Sequence, residues 1–258
     1  MPQFAANLSF LFNELPFLDR FAAAANAGFN AVEFMSPYEF PAEEIAANMR
    51  QHKLQNVLFN LPPGDWAAGE RGIAILPGRE KEFADGVAKA IAYAKALNCP
   101  RIHAMAGIAP AGAAKAMLRK TFISNLKYAA TELAKNNLTF MIEPINNRDI
   151  PGYFLNTQAE AFAICQEVGA PNINMQMDIY HMQMMGEKLE ENIRRYLPHV
   201  GHMQIANVPG RHEPDLGEIN YAKIFDLIDE LKYQGWIGCE YKPKTTTLEG
   251  LGWFEKYR

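Results

Sequence analysis

Short apolar runs rich in β-branched and aromatic residues alternate along the chain with longer stretches in which apolar side chains return every third or fourth position. The first pattern predicts strands over 4–10, 31–35, 54–61, 101–107, 139–146, 172–181, 199–207 and 235–243. The second predicts helices over 17–27, 42–52, 80–97, 113–136, 157–168, 188–197 and 221–231, with a closing helix over 248–257. In the helix over 80–97, Phe83, Val87, Ala90, Ile91, Ala94 and Leu97 share one face. Gly28 supplies a stop for the first helix and Thr157 a cap for the fifth. Eight strand–helix pairs with no strand left over favour one closed parallel (β/α)8 TIM barrel spanning 1–258, a length that suits such a barrel. Neither GxGxxG nor GxxxxGK[ST] occurs, which weighs against an open nucleotide-binding sheet. One connection is unusually long: 62–79 carries Asp65, Trp66, Glu70 and Arg71 among glycines and is expected to be a lid.

A barrel gathers its chemistry at the C-terminal ends of its strands. Four polar residues stand there: Glu143, Asp178, Gln204 and Glu240. Strand alternation gives them inward-facing companions, Met141, Gln176, His202 and Gly238, while Phe140, Ile142, Met175, Met177, Met203, Ile205, Ile237 and Cys239 face the helices. Three carboxylates in one mouth repel unless protonated or bridged by a cation. No Lys or Arg occupies those inward strand positions, so a divalent metal is expected in place of an ion-pair network. With the amide oxygen of Gln204 the ligand set is all oxygen, which suits Mg2+ or Mn2+ better than zinc.

Charge and cysteine usage narrow the partners. A net charge of −4 and a pI near 5.9 give no reason to expect nucleic acid or an anionic membrane as partner. Cys99, Cys165 and Cys239 form no CxxC pair, and neither a signal-like N-terminus nor a membrane-length apolar run is present, so a cytoplasmic protein is expected. A homo-oligomer is compatible with the sequence.

The segments Ile142-Glu-Pro-Ile-Asn146, Asp178-Ile-Tyr-His181, His202-Met-Gln-Ile-Ala-Asn207, Gly217-Glu-Ile-Asn-Tyr221 and Gly235-Trp-Ile-Gly-Cys-Glu-Tyr-Lys-Pro243 resemble the hydroxypyruvate isomerases of the xylose-isomerase-like barrel superfamily. The stretch from Asn60 through Asp65 and Trp66 to Gly72, and the ending Gly250-Leu-Gly-Trp253, add to the likeness, which runs the length of the chain. Gln204 departs from related sugar epimerases, which carry a metal-binding histidine there, and suits the narrower subfamily.

The resemblance implies a metal-assisted interconversion of hydroxypyruvate and 2-hydroxy-3-oxopropanoate (tartronate semialdehyde). Glu143 and Glu240 are then expected as the acid/base pair and as metal ligands, with Asp178 and Gln204 as ligands only. Arg71 and Arg211 are candidates to grip the substrate carboxylate, because a planar guanidinium does so bidentately. His181 matches the superfamily's substrate-contacting histidine, and Asn60, Glu70 and Lys242 complete the expected substrate set. Trp66, Phe10 and Phe12 are candidate walls, while His103 and His202 face inward without an assigned role. The nearest alternative is an isomerase or epimerase of a related 2-oxo four-carbon acid or ketose. An abasic-site endonuclease is remote, since it calls for several zinc ligands and a basic groove, and a non-catalytic barrel with a structural metal is a third class.

Overall fold

The computed structural model describes residues 1–257. Eight strands close into a parallel barrel in sequential order, β1 (Gln3–Asn7), β2 (Ala31–Phe34), β3 (Gln55–Asn60), β4 (Arg101–His103), β5 (Thr139–Ile142), β6 (Ile173–Asp178), β7 (Val200–Ile205) and β8 (Trp236–Cys239). Helices α1 (Asp19–Asn26), α2 (Ala42–Gln51), α3 (Glu80–Leu97), α4 (Lys115–Ala134), α5 (Gln158–Val168), α6 (Ile179–Met184), α7 (Leu189–Tyr196) and α8 (Tyr221–Glu230) follow the strands. The closing segment Glu249–Tyr257 is a 3-10 helix, not an α-helix. Thr157 does cap α5, through a capping box with Glu160, and Gly28 follows α1 with φ +94°. Among the described residues no helix is long and apolar enough to cross a membrane.

The outward strand residues Phe140, Ile142, Met175, Met177, Met203, Ile205, Ile237 and Cys239 are all buried under the helices. Inside the barrel the filling is polar. Register aligns Asn7 with Glu33, Gln176 with His202, Asp178 with Gln204, and Gln204 with Gly238, so these groups meet at neighbouring levels. Glu33 reaches across the interior to β8, where a Cβ on Gly238 would lie 2.2 Å from its carboxylate. A glycine at 238 therefore leaves the room that Glu33 fills.

The long connection is less of a lid than its length suggests. Ile73, Ala74 and Ile75 are buried, Ile75 N–H donates to Ala106 O (3.1 Å), and Asn125 Nδ2 donates to Ala74 O (2.8 Å). The exposed positions are the 65–69 tip and the turn at Pro77 and Gly78. The anchored half depends on Gly72, whose φ is +102° and whose Cβ would meet Met105 O at 2.3 Å. Gly72→Ala should lower stability by roughly 2–5 kcal/mol, left-handed strain and overpacking together. Gly69→Ala, with a similar φ but no atom within 4 Å of the new Cβ, should lose only the strain part. Urea unfolding of the two variants checks the difference, and equal losses would contradict the anchoring.

Candidate active site

A cavity of about 470 Å³ opens at the C-terminal ends of the strands, within the size range of small-molecule sites. Glu143, Glu240, His181, Arg211, Arg71, Asn60 and Lys242 all line it, as do His103, Tyr180, Asp149, Phe10 and Trp66. Beneath it a crevice of about 20 Å³, room for one small ion or water, is lined by Glu33, Glu143, Gln176, Gln204 and Glu240. A larger groove of about 590 Å³ on the outside, against Trp253 and Tyr257, holds none of the strand-end residues.

Each carboxylate is delivered by local structure. Glu143 follows the last residue of β5 directly and is buried. Asp178 closes β6 and caps α6: its Oδ1 accepts from the N–H groups of Tyr180 (2.7 Å) and His181 (3.4 Å). This committed oxygen leaves Oδ2 for the cavity. Both Glu143 Oε1 and Asp178 Oδ2 are buried without a hydrogen-bond partner. One carboxylate oxygen from each, with a ring nitrogen of His181, lie within 4.8 Å of one another. Buried, unpaired carboxylate oxygens at this spacing fit a hard cation.

Arg211 supplies the charge that inward strand positions lack. It stands on the loop after β7 with φ +56°, and its Nη2 lies 3.2 Å from Glu240 Oε1 and 3.8 Å from Asp178 Oδ2. The rings of Phe10 and Tyr180 lie 4.8 and 5.0 Å from the guanidinium carbon. No inward strand position carries a cation, as expected, but a loop residue reaches back to pair with the carboxylates, so an ion-pair partner is present after all. One guanidinium nevertheless faces three carboxylates.

Burial sets the titration of the cluster. It pushes Glu240 up to about 8, with Arg211 opposing and Asp178 adding to the rise. It raises Asp178 to about 6, against Arg211 and the two backbone N–H groups, and it raises Glu143 well above the carboxylate range with help from Glu240 and Asp178. Burial holds His181 well below its usual value, and His103, further lowered by His202, at about 3. Both rings are therefore neutral at pH 7.

The remaining expected residues divide. Gln204 Oε1 accepts from Gln176 Nε2 (2.6 Å), which leaves it one further lone pair, and Gln204 Nε2 donates to Glu33 Oε1 (2.7 Å). Asn60 Oδ1 meets His103 Nδ1 at 3.1 Å, and His103 Nε2 lies 3.8 Å from Glu143. Arg71 stacks on Trp66, 3.7 Å from its ring centroid, and is held by the carbonyls of Trp66 and Glu70. Lys242 is exposed at the rim. Glu70 corrects the substrate set: it is outside the cavity lining, its carboxylate is gripped by Arg79, and it accepts from Asp65 N–H (2.6 Å), so it staples the long loop. Phe12 is core, packed away from the cavity, whereas Phe10 and Trp66 are walls.

Glu33 is the main residue missed. It accepts from Asn7 Nδ2 (2.8 Å) and Gln204 Nε2, and His202 Nε2 lies 2.5 Å from its other oxygen, which gives His202 its role. Its signal was a lone carboxylate inside the otherwise apolar run Ala31-Val-Glu-Phe-Met35.

The family model for the xylose isomerase-like TIM barrel matches residues 21–257. The chain belongs to that family. It is 52% identical over 257 residues, covering 100% of this chain and 99% of the relative, to a protein of Cupriavidus necator named 2-oxo-tetronate isomerase. It is 49% identical over 258 residues, with both chains covered in full, to hydroxypyruvate isomerase of Escherichia coli. A crystal structure described as AP endonuclease, family 2, from Brucella melitensis superposes with a TM-score of 0.98 at 51% identity over 100% of both chains.

The raised carboxylates make stability depend on pH with a definite sign. The folded chain keeps protons that the unfolded chain releases above about pH 4, so their contribution falls as pH climbs through about 6 for Asp178 and about 8 for Glu240. In chelator-treated protein, Glu240→Gln removes one of these ionisations. Its melting temperature should exceed that of the parent at pH 8 and the gap should shrink towards pH 5; parallel melting curves would contradict the assignment.

Proposed function

We propose that the protein is a divalent-metal-dependent isomerase that interconverts hydroxypyruvate and 2-hydroxy-3-oxopropanoate. The observation that carries the reading is the pair Glu143 and Glu240 lining one small cavity, with Asp178 beside them next to Arg211, and unpaired buried carboxylate oxygens on Glu143 and Asp178. Full-length relatives named as isomerases of a three-carbon and a four-carbon oxo acid support the reaction class.

Glu143, Asp178 and Glu240, with the amide oxygen of Gln204, would hold Mg2+ or Mn2+. When bound, the cation supplies Lewis-acid polarisation of the substrate's neighbouring carbonyl and hydroxyl oxygens. One of the two glutamates removes the proton at C3, and the same or the opposed glutamate delivers one to C2, while the hydroxyl proton passes from O3 to O2 through the enediolate. Arg211, clamped between two rings, grips the substrate carboxylate, with Arg71 as the second cation on the wall.

A four-carbon 2-oxo acid is the second reading. The side of the cavity formed by Met35, Asn60, Trp66 and Met105 also lines a neighbouring cavity of about 410 Å³, where a longer chain finds room. The endonuclease name of the Brucella structure is not favoured here, because an acidic chain with carboxylates at the strand ends is poorly suited to duplex DNA.

Comparing kcat/KM over three- to six-carbon hydroxy-oxo acids tests the substrate, with hydroxypyruvate expected to lead; a lead by a four-carbon acid would select the second reading. Glu143→Gln and Glu240→Gln should each lower kcat at least about 100-fold with unchanged circular dichroism. Near-normal turnover in both variants would sink the acid/base assignment.

A further inference from the structure

His181 presents a ring nitrogen to the same space as Glu143 and Asp178, so geometry alone admits it either as a metal ligand or as a hydrogen-bond donor. The two roles need opposite tautomers, because a nitrogen that ligates carries no proton. The neighbouring Asn146, fully buried, decides between them. Its Oδ1 accepts from two backbone N–H groups, those of Arg148 (3.0 Å) and Asp149 (2.8 Å). Backbone N–H groups only donate, so this atom is the amide oxygen and the other is the NH2 group.

The NH2 group has two hydrogens and two partners. One partner is Asp149 Oδ2 at 3.1 Å, and the other is His181 Nδ1 at 2.6 Å. Nδ1 must therefore accept, which leaves the ring proton on Nε2. That nitrogen lies 3.7 Å from Asp178 Oδ2 and 3.9 Å from Glu143 Oε1, at the cavity wall. Asp149 Oδ2 also accepts from the Tyr180 hydroxyl (3.0 Å), so the arrangement is braced from β5's following loop and from α6 together.

We infer that Asn146 is a positioning residue that fixes His181 as its Nε2–H tautomer, so that His181 donates a hydrogen bond to a substrate oxygen and is excluded from ligating the cation. The tautomer stands on hydrogen bonds alone. Its use in turnover rests on the isomerase reading above, where charge grows on the substrate oxygens as the proton leaves carbon. A neutral N–H aimed at that charge is an oxyanion-type donor.

Asn146→Asp keeps an oxygen for the two backbone N–H groups and turns the bond to His181 around, since a carboxylate accepts from Nδ1–H. It also sets one carboxylate against another, so it is combined with Asp149→Asn, which restores a donor there. Nitrogen NMR of the full-length chain carrying 15N-labelled histidine reads the tautomer directly, with His181→Asn identifying the signals. The parent should show a lone-pair Nδ1 and a protonated Nε2 for His181, and Asn146→Asp/Asp149→Asn the reverse.

In the same double variant kcat on hydroxypyruvate should fall about 100-fold, with KM changed only a few-fold. A protonated Nδ1 in the parent overturns the inference, and so does a kcat loss with the tautomer unchanged, which marks a merely structural role. Failure of the parent to turn over hydroxypyruvate would instead count against the substrate reading, and the spectra would still decide the tautomer.

Discussion

Three carboxylates, those of Glu143, Asp178 and Glu240, are buried around one small cavity, and among the described residues Arg211 is the guanidinium within ion-pair distance of them. Like charges withdrawn from water raise one another's proton affinity, and here burial and mutual repulsion together outweigh Arg211. Such a cluster has three ways to relax: hold protons, hold a cation, or move the guanidinium closer. Much of the surrounding structure bears on which of these prevails. Asp178 spends one oxygen on the start of α6 and keeps the other unpaired, and Glu143 keeps an unpaired oxygen as well. The mouth is thus held in an under-neutralised state that a divalent ion would complete.

The barrel interior holds this arrangement in place from below. Glu33 ties Asn7, His202 and Gln204 into one hydrogen-bonded layer, and Gly238 leaves the volume its carboxylate fills. Through Gln204 the layer orients an amide whose oxygen faces Gln176 and the crevice. On the far wall Asn146 does the comparable service for His181. His202 Nδ1 and Gln176 Oε1 are buried without partners, but turning any of the bonded groups would leave a further buried donor or acceptor unpaired, which holds the layer in place. The geometry of the candidate site is consequently set in part by side chains that do not line the main cavity, Glu33, Gln204 and Asn146 among them.

Strand periodicity made the strand-end set legible: Glu143, Asp178, Gln204 and Glu240 share inward parity on successive strands, and parity survives even where strand ends differ by a few residues from the pattern. What stayed hidden was non-local. Arg211 lies on a loop in left-handed backbone, so no periodicity indicated that it turns back over the carboxylates. Glu33 was visible as a charge in an apolar strand, but its partners come from β1 and β7. Glu70 shared a matching motif with Arg71, yet nothing local shows that Arg79, further along the loop, claims its carboxylate. The helix α6 escaped notice because it starts on the residue after β6, with Asp178 serving as strand end and cap at once.

The central claim is that the strand-end carboxylates, and not the adjacent histidine, form a cation site. Anomalous diffraction from crystals soaked in Mn2+ tests it most directly. A single peak bounded by oxygens of Glu143, Asp178, Gln204 and Glu240, with His181 outside bonding distance, is the predicted result. A peak ligated by His181, or no peak in this cavity at saturating Mn2+, would contradict it.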